Sequence, residues 1–109
     1  MISGRDIVII GAGPAGLTAA LYLARYRRAP LVLHDGSSRA LRIPLTHNAP
    51  GFPDGVRGPD LIARMTRHAV QYGAVVEEAK VTTVEAISGG FRLNLEDGST
   101  RESRAVILA

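Results

Sequence analysis

The sequence contains no cysteine, no tryptophan and a single lysine, Lys80. Without cysteine, these 109 residues can build no disulfide framework, thiolate metal site or thiol nucleophile. That count fits the cytoplasmic location we expect. Aromatic residues are few, with tyrosine and phenylalanine together at five. No apolar run reaches the roughly 18 residues that a bilayer-crossing helix needs, so a membrane span and a membrane partner are not expected. A secretory signal is not expected either. The N-terminal apolar segment is broken by Gly11, Gly13, Pro14 and Gly16, and Asp6 stands just ahead of it.

What the chain does have is an ordinary globular composition, 46% hydrophobic and 21% charged. Its length suits one small domain or part of a larger one. The formal charge is +3. Its densest basic cluster is Arg25, Arg27 and Arg28, which reads as cations gathered at a helix C-terminus. The other arginines are scattered and no aromatic platform accompanies the cluster, so nucleic acid is not an expected partner.

The order of elements points to an α/β fold. Ile7-Val8-Ile9-Ile10 is a β-branched run closed by Gly11, the pattern of a strand buried on both faces of a parallel sheet. A helix follows from Pro14 to about Arg28, with Leu17, Ala20, Leu21 and Ala24 on its apolar face and Pro30 preventing its continuation. Leu31-Val32-Leu33-His34 is the second strand, reached by a right-handed parallel crossover. Residues 36–58 form a long loop rich in proline and glycine, a length usually kept for function or disorder. Gly58-Pro59-Asp60 opens a second helix with Leu61, Met65, Ala69 and Tyr72 as its buried stripe and Gly73 as its stop. An antiparallel β-meander is expected from about residue 74 to 104, with Phe91, Leu93 and Leu95 on one face and a turn at Asp97-Gly98. Ala105-Val106-Ile107-Leu108-Ala109 reads as another central parallel strand.

Gly11-Ala12-Gly13-Pro14-Ala15-Gly16 matches G-x-G-x-x-G. The hexapeptide alone is a weak signal, but its context is right. It follows a buried strand, it opens an apolar helix, and Asp35 lies nineteen residues beyond Gly16 at the end of the second strand. Gly11 allows the tight turn, Gly13 lets a pyrophosphate approach the backbone, and Gly16 lets helix and sheet pack closely. The free N–H groups at the helix start favour phosphate. Asp35 is placed to accept from the hydroxyls of an adenosine ribose, and its charge disfavours a 2′-phosphate at this site. The alternative is a ligand-free glycine turn and a surface carboxylate. The Walker phosphate motif is absent, since Lys80 does not sit in one. His34, His47 and His68 are separated and lack paired carboxylates at ligand spacing, so no metal site is expected.

The glycine turn resembles the FAD version of the fingerprint, with Pro14 after the second glycine. The stretch from Asn48 through Pro50-Gly51-Phe52-Pro53 to Gly55-Val56 resembles the N-x-P-G-F-P-x-G-[IV] segment of the thioredoxin reductase family. Gly58-Pro59-Asp60-Leu61 is similar to its G-P-[ED]-L helix start, and residues 105–109 to its A-[VL]-I-[IL]-A strand.

The resemblance covers the whole chain and implies a Rossmann-like FAD-binding fold. Residues 1–109 would be the first part of an FAD domain, with the NADPH site and any C-x-x-C lying beyond them. Carried over by position, Gly11, Gly13, Pro14, Ala15 and Gly16 would hold the pyrophosphate, with Asp35 and Gly36 at the ribose. Asn48 would lie toward the flavin, Val81 at the adenine, and Ala109 in the segment that runs close to the cofactor. Electrons would pass from NADPH through FAD to a disulfide in a protein or small-molecule acceptor. No residue here is named as a catalytic acid, base or nucleophile. These residues alone are not expected to be a competent reductase; a homodimer or association with another chain is expected.

One departure bears on the acceptor. The family's G-G-Q-L segment is replaced here by the shorter stretch Gly36 to Pro44, which leaves ferredoxin–NADP reductase and dithiol oxidase branches open. A plain NAD-dependent dehydrogenase fits less well, because it would continue with further βα units, and a non-catalytic FAD-binding module is the remaining alternative.

Overall fold

The computed structural model describes residues 5–109. The first half alternates strand and helix: β1 (Arg5–Ile10), α1 (Pro14–Arg25), β2 (Leu31–His34), a one-turn 3-10 helix (Arg39–Arg42), α2 (Gly58–Gln71) and β3 (Val75–Glu78). Three more strands follow, β4 (Val81–Ile87), β5 (Gly90–Leu95) and β6 (Thr100–Leu108). They join one six-stranded sheet in the order β3-β2-β1-β6-β5-β4. β1, β2 and β3 are parallel, and β6 adds in parallel to the other side of β1. β4, β5 and the start of β6 are antiparallel.

The two ends of that order, β3 and β4, are separated in sequence only by Ala79 and Lys80. So short a link spans only about 3.3–3.6 Å per residue, so the sheet must fold back on itself. The fold-back is at Ser103 of β6, which is fully buried and pairs with Phe91 of β5 on one side and Arg5 of β1 on the other. Its hydroxyl donates to the carbonyl of Ala105 at 2.6 Å, so the buried polar group is satisfied. The meander therefore lies over one face of the parallel strands while the helices cover the other.

The pleat divides the core accordingly. Ile9 and Val32 face the helices, packing with Ala20, Ala24, Ala69 and Ala74. Val8, Leu31 and Leu33 face the meander and pack with Leu93 and Leu95. The small alanines let α1 and α2 approach the sheet closely. Strands covered on both faces read as continuous apolar runs, which is why β1 and β2 carry no alternation.

Four sequence expectations need correction. β3 is not part of the meander; it pairs in parallel with β2, and the meander proper begins at Val81. Local alternation identifies a strand but not its partner. α1 ends at Arg25 rather than Arg28. Arg28 N–H bonds back to Leu23 and Arg27 N–H to Ala24, the double closure of a Schellman turn, with Arg27 in the left-handed region at φ +61°. The buried positions of α2 are Gly58, Ile62 and Ala69, with Leu61 and Met65 half-buried, and Tyr72 is exposed because it caps the helix where the chain leaves through left-handed Gly73. Finally, the long loop holds local structure: the 3-10 helix, and a bridge pairing Thr46 with Val56. Gly58 closes it tightly, since a Cβ there would sit 1.8 Å from the carbonyl oxygen of Ala40.

Candidate functional site

The strand β1 delivers the chain to Gly11, whose N–H donates to Leu33 of β2 at 2.8 Å. Gly11 takes φ +116°, a conformation that strongly favours glycine. The first helical bond of α1 runs from Leu17 N–H to the Gly13 carbonyl at 2.9 Å. Pro14 opens the helix, no side chain caps it, and the amides of Ala15 and Gly16 precede that first bond. Unsatisfied donors and the positive end of the helix dipole are thus left facing outward, a setting that favours an anion.

The three glycines differ in what they meet. A Cβ on Gly11 would lie 2.5 Å from the Ala109 carbonyl oxygen, and one on Gly16 would lie 2.0 Å from the Gly11 carbonyl oxygen. Both are required by the fold itself. Gly13 has an ordinary extended backbone, φ −81° and ψ −173°, and a Cβ there would meet only Ser38 Oγ, at 3.3 Å. The chain's own packing does not demand glycine at this position, which borders open space.

That space is a cleft of about 690 Å³ at the C-terminal ends of the parallel strands. Such crevices at strand ends are where ligands bind in open α/β sheets. Nine of the ten residues singled out from sequence line it: Gly11, Gly13, Pro14, Ala15, Gly16, Asp35, Gly36, Val81 and Ala109. The tenth, Asn48, lies outside the lining on the exposed loop, where its Oδ1 accepts from the Thr46 hydroxyl at 2.5 Å.

Asp35 lines the same cleft as the glycine turn and is exposed. Its Oδ1 accepts from the Ser37 hydroxyl and from the Ser37 N–H at 3.0 Å. These two bonds, the hydroxyl first, hold its carboxyl below the usual carboxylate range. Oδ2 accepts no hydrogen bond from the described residues, so one oxygen of a firmly ionised carboxylate remains for an outside donor. Gly36 supplies the positive φ, +82°, that lets the turn close.

Sequence reasoning missed Ser38, Arg39 and Lys80, which also line the cleft. Ser38 Oγ accepts from Ala40 N–H at 3.3 Å, leaving its own proton free to be donated beside Gly13. Arg39 and Lys80 add positive charge to the walls. The position of Lys80 immediately before Val81 was the available signal; Arg39 carried none, because the loop fold that places it is not a local pattern. Among the described residues no cluster of metal-ligating side chains forms, and no helix is long and apolar enough to cross a membrane.

A second depression of about 730 Å³ opens at the starts of the parallel strands, under the meander. Its charges are largely matched internally, Arg101 to Glu77 and Arg92 to Glu102. No glycine turn and no helix start line it, and the first cleft is the candidate site.

A parallel strand, a glycine turn, an uncapped helix start and a carboxylate at the end of the next strand define a Rossmann-type dinucleotide-binding fold. The chain belongs to the pyridine nucleotide-disulphide oxidoreductase family, whose pattern it matches over residues 5–109. It is 38% identical over 107 residues to the bifunctional thioredoxin reductase/thioredoxin of Mycobacterium leprae, covering 96% of this chain and 23% of that protein. It is 37% identical over 107 residues to the thioredoxin reductase of Mycolicibacterium smegmatis, covering 96% of this chain and 34% of the relative. Its structure is similar to that of an atypical thioredoxin reductase from Desulfovibrio vulgaris Hildenborough, with a TM-score of 0.87 and 37% identity over 95% of this chain and 35% of that one. The chain thus spans about a third or less of the length of these relatives.

Proposed function

We propose that the cleft binds FAD and that residues 1–109 are the N-terminal part of the FAD-binding domain of a thioredoxin reductase-like flavoprotein. The observation that carries this reading is Gly13, whose missing Cβ leaves open the side of the turn that faces the cleft. The uncapped amides of Ala15 and Gly16 would take the pyrophosphate, Asp35 Oδ2 would accept from the adenosine ribose, and Val81 would sit at the adenine. Arg39 and Lys80 offset the phosphate charge. Asn48, Gly36 and Ala109 complete the enclosure, Asn48 from the loop toward the flavin.

When bound, FAD supplies two-electron chemistry, taking hydride from NADPH and passing the electrons to a disulfide. The part of this chain is to hold and orient the cofactor. Its 109 residues contain no cysteine and a single G-x-G-x-x-G, so they offer neither a dithiol nor a second turn for NADPH. In this reading they do not turn over alone; the NADPH site and the redox pair come from other residues, and the flavin domain associates with a second chain. The stretch Gly36 to Pro44 supports a partner other than thioredoxin. It forms a 3-10 helix that brings Arg39 and Leu41 to the cleft in place of a glycine-rich segment, which fits a ferredoxin–NADP reductase or dithiol oxidase branch as well.

Titration with FAD followed by flavin fluorescence tests the assignment of Asp35. Asp35→Ala should measurably weaken binding through the loss of a charged hydrogen-bond acceptor. Unchanged affinity would remove Asp35 from the site.

A further inference from the structure

All three tyrosines of the chain are exposed: Tyr22 by 54%, Tyr26 by 72% and Tyr72 by 47%. They are not scattered. Tyr22 and Tyr26 lie four residues apart on one face of α1, and Arg25 of the same face sets its guanidinium 5.5 Å from the centre of the Tyr72 ring. His68 also packs at a tilt against Tyr72, its ring centre 5.7 Å from that of Tyr72. The C-terminal ends of α1 and α2 therefore form one surface, extended by Arg27 and Arg28. Neither α1 nor the turn after it contains an acidic residue, and the single acid of α2, Asp60, is in its first turn at the far end.

Both helices end in the same Schellman closure. In α2 the left-handed position is Gly73, φ +113°; in α1 it is Arg27, φ +61°. Glycine is the unstrained occupant of that position. The helix dipole favours a cation near the end of α1, but it does not require one at the strained residue, and it asks nothing of exposed tyrosines. Arginine and tyrosine are the side chains enriched at protein contacts.

We propose that this surface docks a protein partner through a segment rich in aspartate and glutamate, with Arg25, Arg27 and Arg28 meeting its carboxylates and the tyrosines supplying contact area. A second copy is disfavoured, because a two-fold contact would set these arginines against themselves. Single-stranded nucleic acid is disfavoured because Arg25 already lies over the Tyr72 ring and the cations form a cap rather than a track along a backbone. The surface lies by the starts of β2 and β3, at the opposite end of the parallel strands from the cleft, so docking leaves the cleft open. The proposal does not depend on the identity of the cofactor.

The test is binding of fluorescein-labelled poly-glutamate to the full chain, read by anisotropy at physiological ionic strength. The variant Arg25→Gln/Arg27→Gln/Arg28→Gln should lose about tenfold or more in affinity, while the isocharge variant Arg42→Gln/Arg57→Gln/Arg104→Gln, away from the two helix ends, changes it by no more than about threefold. Tyr22→Ala/Tyr26→Ala should weaken binding with no change in charge. Arg27→Gly should raise the thermal midpoint yet weaken binding; an arginine with no part in docking would give the higher midpoint with binding unchanged. Equal losses in the two arginine variants would reduce the effect to net charge and overturn the proposal. So would tighter patch-dependent binding of a single-stranded oligonucleotide, or dimerisation that the patch variant abolishes.

Discussion

A Cβ on Gly16 would lie 2.0 Å from the carbonyl oxygen of Gly11, so the first and third glycines of the phosphate turn interlock and hold the helix against the strand end. Gly13, between them, has no such neighbour. The same three-glycine motif thus contains two positions where the fold demands glycine and one, Gly13, where it does not. Gly16→Ala should destabilise the chain by about 1–3 kcal/mol, because overpacking against backbone outweighs the better helix propensity of alanine. Gly13→Ala should stay within about 0.5 kcal/mol of the parent. Urea unfolding followed by circular dichroism measures both, and a Gly13 variant as damaged as the Gly16 variant would contradict the division of roles.

The Asp35–Ser37 turn gives a pH signature. With its folded pKa lowered by the Ser37 hydroxyl and N–H, Asp35 contributes stability that is fully present above its unfolded pKa of about 4. That contribution is lost as pH falls through the lowered folded value. Ser37→Ala should move the Asp35 midpoint, followed by carboxyl-carbon NMR, upward toward the ordinary value. A midpoint already at that value in the parent chain would refute the turn's electrostatics. FAD affinity should fall over the same acid range as the ribose acceptor is neutralised.

The phosphate turn was legible in the sequence because its demands are local: a run of β-branched residues, glycines at fixed offsets, proline in the first helical turn. Asp35, Gly36, Val81 and Ala109 reached the same cleft because strand ends in a parallel sheet converge. Ser38 and Arg39 were not legible, since the 3-10 helix that places them depends on contacts across the fold; for Lys80 the one signal was its place immediately before Val81. The four residues of β3 look like any short extended run; only their parallel pairing with β2, remote in sequence, assigns them to the sheet edge instead of the meander. The end of α1 was misread because Arg27 occupies a position that glycine usually marks. Asn48 depends on a loop whose form is set by contacts such as Arg64 over the Phe52 ring, at 5.7 Å.

Arg101 of β6 forks onto Glu77 of β3, Nη2 to Oε2 at 2.5 Å and Nε to Oε1 at 3.4 Å, tying the meander to the parallel edge strand. Both side chains are about one-third exposed, 32% and 35%, so solvent screens part of the attraction. Glu77→Gln should cost about 1 kcal/mol of stability, and a double-mutant cycle with Arg101→Met should show coupling of similar size. Zero coupling would make the fork incidental.

Leu93 is fully buried between the meander and Val8, Leu31 and Leu33, whereas Leu108 is 78% exposed at the end of β6. Leu93→Ala should destabilise by about 2–5 kcal/mol and Leu108→Ala by no more than about 0.5 kcal/mol. Comparable effects of the two, measured by denaturant unfolding, would mean that the meander does not pack on the parallel strands as described.

On the proposed function, the space beside Gly13 is kept open for the diphosphate of FAD. The most direct measurement is FAD binding by isothermal titration to the parent chain and to Gly13→Val, each first shown to be folded by circular dichroism. Saturable binding of one FAD per parent chain, and none to the folded variant, is the expected result. Equal binding by both, or no saturable binding by the parent, would contradict it.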